Sequence, residues 1–191
     1  MGKQFQRLEA AHIAFIQTQK VFFNASAAPV GRVNVSPRDA KSMRILDPNT
    51  AIYLDLTGSG NETAAHIRAD GRLTFMFCSF EGSPMILRLY GRGRVIRRGC
   101  PEYESLLKVY FGGCETLGAR QMIQLTIDQV QTSCGYNVPL FEYAGDRETL
   151  LRWAEAKGTE GLKRYWSEKN TRSIDGFPTG LVEDSGAPES F

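Results

Sequence analysis

Hydrophobic and polar residues follow two different periods along this chain. Between residues 6 and 19 the apolar positions recur on one face of a helix, which predicts an N-terminal helix. Further along, apolar residues recur at every second position, as is typical of strands with one buried face and one wet face. The predicted strands cover residues 20–27, 31–37, 51–56, 72–80, 84–98 and 119–135.

Helical patterns lie mainly after these strands. Residues 100–112 predict a helix with Pro101 in its first turn. Two further short helices are predicted near the C-terminus, the first of them ending at Gly158. Because the strands are mostly consecutive in sequence, the pattern favours an antiparallel barrel with peripheral helices over a doubly wound parallel sheet.

The chain is predicted to form one domain. Its 191 residues are enough for a single packed core. We expect the core to cover about residues 10–140 and a helical extension to cover about residues 141–191. The last part of the extension, from residue 180 onward, is small and polar and is predicted to be loosely ordered.

The strand at residues 84–98 carries a row of arginines on one face. Arg88, Arg92 and Arg94 alternate with apolar residues and with two glycines. Guanidinium groups in such a row repel one another unless they are solvated or share an anion. We expect Arg92 and Arg94 to be solvated, and Arg88, which lies between two leucines, to reach inward.

The segment Thr57-Gly58-Ser59-Gly60-Asn61 follows a predicted strand and precedes a helical pattern. Its glycines would let backbone amides approach an anion at the positive end of the following helix. It matches neither a P-loop nor a dinucleotide fingerprint. An equally simple interpretation is a tight corner, with Asn61 as the N-cap of the helix. The residues alone leave both interpretations open.

Composition narrows the classes of function. The formal net charge is only +2, so the totals indicate no nucleic-acid partner. No apolar stretch is long enough to span a bilayer, so we expect no membrane partner. The four cysteines have no paired spacing and there are two histidines, which argues against a metal site and favours a reducing, cytoplasmic setting.

Three segments taken together, residues 22–39, 53–80 and 86–96, resemble the pyridoxamine 5′-phosphate oxidase-like FMN-binding family. The resemblance is greatest to its uncharacterised predicted flavin-nucleotide-binding branch. The segments "CGYNVPLFEY" and "SIDGFPTG" look like C-terminal signatures of that branch. The resemblance implies a mainly β (α+β) Greek-key split barrel and a homodimer with FMN sites between the subunits.

The resemblance also implies a set of cofactor-binding residues. The nominated positions are Asn34, Val35, Ser36, Arg38, Thr57, Gly60, Asn61, Thr63 and Arg88. The oxidases of this family have a turn that resembles "S-R-K-A", where this chain has Asn61-Glu62-Thr63-Ala64. The charge that holds the phosphate must then come from elsewhere, and Arg38 and Arg88 are the candidates. For the same reason pyridoxamine phosphate is not the expected substrate.

The function implied is an FMN-dependent oxidoreductase for an unidentified small molecule, with an electron donor such as NAD(P)H. No pattern of residues identifies a catalytic group. Two alternatives stay open. One is a non-catalytic binder of flavin or haem, for carriage or sensing. The other is an interaction module that has lost its cofactor, which Glu62 in place of a basic residue would suit. A deazaflavin is a further candidate cofactor.

Overall fold

The computed structural model of the protein describes residues 2–182, so residues 183–191 of the predicted loose tail lie outside the described part. Within residues 2–182 the chain forms eight strands and four α-helices. The strands are β1 Lys3–Phe5, β2 Val21–Ser26, β3 Asn34–Asp39, β4 Met43–Asp47, β5 Thr50–Leu56, β6 Arg72–Cys78, β7 Ile86–Arg97 and β8 Ala119–Ser133. The helices are α1 Ala10–Thr18, α2 Glu62–Ala69, α3 Pro101–Tyr110 and α4 Thr149–Lys169.

All eight strands belong to one antiparallel sheet. The strand order is β3-β2-β6-β7-β8-β5-β4, and β1 also pairs with β8. The long strand β8 pairs with β5 over its first half and with β1 over its last residues. The sheet curls into a half-barrel with helices around it, so the predicted split-barrel α+β class is confirmed.

The main core lies on the inner face of this sheet, and a second buried cluster lies between the sheet and helix α3. Phe22, Tyr53, Phe75 and Phe77 are fully buried in the main core. The ring of Phe22 lies 5.4 Å from the ring of Phe75 and 5.5 Å from the ring of Tyr53, both edge to face. Such pairs contribute about 0.5–1.5 kcal/mol each beyond area burial. This cluster holds β2, β5 and β6 together and supports the polar residues next to it.

The predicted strands and helices are found, and two short strands were not anticipated. Helix α4 contains the predicted break, because Gly158 has φ 63° and ψ 174° inside it. The unanticipated strands are β1, with three residues, and β4, which follows β3 after one short turn. Neither strand is long enough for an alternation of apolar and polar residues to be recognised in the sequence. Among residues 2–182, none of the helices combines the length and the apolar run needed to cross a bilayer.

Gly91 allows β7 and β8 to approach closely at a bulge. The pairing shifts between Tyr90 and Gly91, where β8 has one extra residue. A Cβ atom at Gly91 would lie 1.9 Å from the carbonyl oxygen of Thr126. Only glycine therefore fits at this point of the sheet.

Replacement of this glycine is expected to destabilise the sheet. Gly91→Ala must push the two strands apart, and we expect it to lower the free energy of unfolding by about 3 kcal/mol, at the upper end of the usual cost of overpacking. Urea denaturation measures the change. The matched control is Gly161→Ala in α4, where the added methyl group would meet only the Lys157 side chain. Equal stability of the two variants would contradict the close approach.

Candidate functional site

A cavity of about 530 Å³ lies between β3, the turn after β5 and the segment that follows α4. We call residues 57–61 the glycine turn and residues 169–180 the C-terminal segment. The lining is polar and charged with a single large apolar side chain. It consists of Asn34, Ser36, Arg38, Gly58, Ser59, Gly60, Glu62, Thr63, Lys169, Arg172, Ser173 and Ile174.

Strand β3 presents alternate side chains to this cavity. Asn34, Ser36 and Arg38 share one face, because they pair across the strands with Ser26, Asn24 and Phe22. Ser36 donates to the side-chain oxygen of Asn34 at 3.0 Å. The amide group of Asn34 donates in turn to the hydroxyl of Thr63 at 3.2 Å. Period two therefore places the three predicted polar residues on one side.

The Thr63 hydroxyl joins β2 to helix α2. Asn24, which is fully buried, donates to this hydroxyl at 2.6 Å. The Nε atom of Arg38 donates to the carbonyl oxygen of the same Asn24 side chain at 3.2 Å. Sequence reasoning missed Asn24, although its place in an apolar alternating strand was a visible signal for a buried polar group with a partner.

Asp55 is a buried carboxylate between two arginines. One oxygen of Asp55 lies 2.8 Å from Nε of Arg120, and the other lies 3.4 Å from Nη1 of Arg38. The carboxamide of Gln121 donates to Asp55 at 2.8 Å. One negative charge thus faces two positive charges, so this group carries one net positive charge beside the cavity.

The protonation states follow from these neighbours. Burial alone would raise the pKa of Asp55, but Arg120 and Arg38 lower it below its ordinary value. Burial raises the pKa of Tyr53 well above its ordinary value, so its phenol stays neutral beside Arg38. The carboxylate is therefore ionised and the network keeps its positive charge at neutral pH.

Two of the predicted cofactor-binding residues, Thr57 and Asn61, have buried side chains that fix the two ends of the glycine turn through hydrogen bonds. Thr57 is buried, where it donates to the carbonyl oxygen of Gly118 and accepts from the indole of Trp166, both at 2.7 Å. Asn61 is also buried and accepts from Gln121 at 2.8 Å. Asn61 is the N-cap residue of α2, as expected, but its side-chain oxygen accepts from Gln121 and forms no cap hydrogen bond.

In the glycine turn, backbone carbonyl oxygens have hydrogen-bond partners within the described residues, whereas the three central backbone amides do not. Arg120 donates to the carbonyl oxygen of Gly60 at 2.9 Å, and Asn170 donates to that of Gly58 at 3.1 Å. The backbone amides of Gly58, Ser59 and Gly60 donate no hydrogen bond to any atom of residues 2–182. The turn therefore has its oxygens fixed by the protein and its amide donors available.

The C-terminal segment forms the opposite wall. The Glu62 carboxylate accepts from the amide of Ile174 with both oxygens, at 3.0 and 3.1 Å. Asp175 accepts from the backbone amide of Arg32 at 2.7 Å and forms an ion pair with its side chain. Lys169 and Arg172 line the cavity from this segment. The sequence could not indicate this, because more than a hundred positions separate these residues from the glycine turn.

Val35 and Arg88 lie apart from the cavity. Val35 pairs with Ala25 and points to the outer face of the sheet, where it is 61% exposed. Arg88 pairs with Met76, in the same row as Phe23, which is also on the outer face. Within one chain Arg88 thus does not reach inward, and the residues that do are its two leucine neighbours. A cofactor role for Val35 and Arg88 stays a prediction.

The half-barrel and the position of its polar turn define a split-barrel protein, and comparison with known proteins gives the family. The family model for pyridoxamine 5′-phosphate oxidase matches residues 8–134. The protein ustO of Aspergillus flavus, a member of the pyridoxamine 5′-phosphate oxidase family, is 41% identical over 176 residues, which cover 84% of this chain and 70% of ustO. The chain therefore belongs to the pyridoxamine 5′-phosphate oxidase family.

Solved structures agree on the fold. A variant of HupZ from Group A Streptococcus has a TM-score of 0.53 and 20% identity, covering 65% of this chain and 98% of HupZ. A structure from Lactobacillus delbrueckii assigned to the pyridoxamine 5′-phosphate oxidases has a TM-score of 0.51 and 18% identity, covering 66% of this chain and 94% of its own. At such identities the likeness concerns the fold alone.

The buried carboxylate yields a stability prediction. Asp55→Asn leaves Arg38 and Arg120 without their shared counter-charge, and we expect a loss of about 3–5 kcal/mol in the free energy of unfolding. Because the pKa of Asp55 is lowered in the folded protein, its contribution is complete above about pH 4 and is lost as pH falls further. The difference between wild type and variant should therefore shrink in acid.

Denaturant titrations between pH 7 and pH 3 measure this difference. Asp146→Asn, which breaks an exposed ion pair with Lys41, is the control and should have a much smaller effect. A difference for Asp55→Asn that stays constant down to pH 3 would contradict the assignment of a lowered pKa.

Proposed function

We propose that this protein binds FMN, with the phosphate in the cavity beside the glycine turn, and acts as a flavin-dependent oxidoreductase on a small molecule. One observation carries the proposal. Gly58, Ser59 and Gly60, whose backbone amides donate no hydrogen bond within residues 2–182, line the same cavity as the cations Arg38, Lys169 and Arg172. An electron donor such as NAD(P)H belongs to this proposal.

The charges and donors suit a phosphate monoester. Such a group carries a charge of about −1.5 to −2 at neutral pH and has three strong acceptor oxygens. Three cations and one carboxylate, that of Glu62, line the cavity. Helix α2 begins at Glu62, directly after the glycine turn, so its positive end adds to the attraction.

The remaining polar residues suit a polyhydroxylated chain. Asn34 and Ser36 on β3 and Ser59 in the turn present side-chain donors and acceptors to the cavity. Hydroxyl groups of a ribityl chain need partners of both kinds, and amide and hydroxyl side chains supply them. Arg38 lies beside these residues, so phosphate and polyol would be held by adjoining parts of one wall.

The lining favours flavin over haem. Haem iron is held by His, Cys, Met or Tyr, and none of these lines the cavity among the described residues. The two histidines are buried elsewhere. The ring of His12 packs edge to face on Phe5 at 4.6 Å, and Nδ1 of His66 lies 3.1 Å from the Ser26 hydroxyl.

A bound flavin would supply the redox chemistry itself, and the protein's part is to bind, orient and polarise it. Arg38 is held by Asn24 and Asp55, so its guanidinium needs little reorganisation to meet an anion. The buried phenylalanines under β2 and β6 keep this wall rigid. No group of this chain is assigned a proton transfer.

Titration of the purified protein with FMN tests the proposal. We expect binding with the absorption of an oxidised flavin and bleaching by NADH or NADPH without oxygen. Arg38→Ala should weaken binding by about 1.5–3 kcal/mol, since it removes one charge-assisted contact. Arg92→Ala is the matched control, because Arg92 is exposed on the same sheet and bonded to the Asp70 carbonyl.

The outcomes separate the alternatives. A protein that takes up no FMN contradicts the proposal and favours an interaction module. A Soret band on addition of haem would point to the haem binder. Flavin that binds but is reduced by no donor would indicate a carrier. Equal affinity of the Arg38 and Arg92 variants would remove Arg38 from the cavity's binding residues.

A homodimer is part of the same proposal. The outer face of the sheet exposes Val35 at 61%, near the partly buried Phe23 and Met76, and Val33, just before β3, is 70% exposed. Only one face of β6 is fully covered within the single chain. Arg88 lies on this outer face, so a partner there is the arrangement that could bring it to a cofactor.

Light scattering measures the oligomeric state. We expect twice the chain mass of 21.3 kDa at micromolar concentration. Val35→Glu should shift the equilibrium toward monomer, because it places a charge in an apolar interface. Val109→Glu, at a 67% exposed position of α3, is the control. A monomeric wild type would contradict the dimer.

A further inference from the structure

We infer that the C-terminal segment supplies the phosphate-binding charge that the glycine turn lacks, and that Glu62 is the clamp that holds this segment in place. The inference rests on the proposed function and assigns Lys169, Arg172 and Glu62 within it. Glu62 occupies a position where the oxidases that this chain resembles have a basic residue. In this structure the Glu62 carboxylate accepts hydrogen bonds from the backbone amide of Ile174.

The side chains of Lys169 and Arg172 have N–H donors that form no hydrogen bond within the described residues. The side chain of Lys169 forms no hydrogen bond or ion pair with any described residue, yet Lys169 lines the cavity. Arg172 uses one hydrogen bond, from Nη1 to the carbonyl oxygen of Gly176 at 2.9 Å. A guanidinium has five N–H donors, so most of those of Arg172 remain.

Arg38 alone is a weak source of charge. Its guanidinium lies 3.4 Å from the Asp55 carboxylate, which also binds Arg120 at 2.8 Å. The network of three groups contributes one net positive charge. A doubly charged phosphate needs more, and the two cations of the C-terminal segment are the next ones on the cavity wall.

The segment is held in position before any ligand arrives. Asn170 accepts from Arg120 at 2.8 Å and donates to the Gly58 carbonyl at 3.1 Å. The Glu62 carboxylate holds the amide of Ile174. A Cβ atom on Gly60 would lie 3.1 Å from a Glu62 oxygen, so Gly60 leaves room for this carboxylate. Preorganisation of this kind lowers the entropy cost of binding.

Riboflavin and FMN together isolate the phosphate term, because they differ only in that group. Lys169→Ala and Arg172→Ala should each weaken FMN binding on the order of tenfold, the loss expected for one charge-assisted contact at a partly exposed position. Riboflavin binding should stay within about twofold, since neither residue would meet its ring. Lys163→Ala, on the same helix but paired with Glu160, is the matched control.

Glu62 is tested by two substitutions with opposite expectations. Glu62→Gln removes the charge but keeps an acceptor for the amide of Ile174, so FMN affinity should be kept or improved. Glu62→Ala removes the acceptor as well, and FMN affinity should fall on the order of tenfold as the two cations lose their position. If Glu62 were only a repelling charge, both variants would bind FMN more tightly.

Limited trypsin digestion, in the absence of flavin, measures how firmly Glu62 holds the C-terminal segment. Cleavage after Lys169 and Arg172 should be faster in Glu62→Ala than in wild type, and unchanged in Glu62→Gln. Equal cleavage of all three proteins would overturn the clamp. Equal FMN affinity of Lys169→Ala, Arg172→Ala and the Lys163→Ala control would overturn the charge assignment.

These failures are distinct from failure of the proposed function. Wild-type protein that binds neither FMN nor riboflavin overturns both the function and this inference. Wild-type protein that binds FMN, with variants that lose nothing relative to the control, overturns the inference alone. Equal losses for FMN and riboflavin would show that the segment shapes the ring site and would overturn the phosphate assignment.

Discussion

The Asp55 carboxylate, buried between Arg38 and Arg120, is the interaction on which the candidate site depends. It lies at the end of β5 and joins β3, which carries Arg38, to β8, which carries Arg120. Arg120 extends the connection to the carbonyl oxygen of Gly60 and to Asn170. One charge therefore sets the relative positions of the edge strand, the glycine turn and the C-terminal segment.

Such an arrangement is costly to bury and specific in geometry. Removing ionised groups from water costs several kcal/mol per ion, and the mutual attraction offsets this only with good hydrogen bonding. Here Gln121 and Asn24 supply additional hydrogen bonds to the carboxylate and to Arg38. The excess positive charge that remains is the part that an anionic ligand can use. The network therefore contributes to stability and also provides the charge on which the proposed anion binding depends.

The fold was largely predictable because period two survives in strands with one buried face. The polar residues of β3 were predictable for the same reason, since Asn34, Ser36 and Arg38 alternate with outward residues. Arg88 shows the limit of that reasoning. Alternation separates two faces but does not say which face is inside, and the row through Leu89 and Phe75 decided it.

Sequence by itself determined the antiparallel half-barrel, the break in α4 at Gly158 and the family, because these depend on local periodicity and on motifs of adjacent residues. Tertiary structure alone decided where the charge of the cavity comes from. Contacts of Glu62, Asn170 and Asp175 hold the C-terminal segment beside the glycine turn, and this places its two cations on the cavity wall. Contacts between residues more than a hundred positions apart produce no recurring pattern in a single sequence, because they depend on how helices, strands and loops pack against one another.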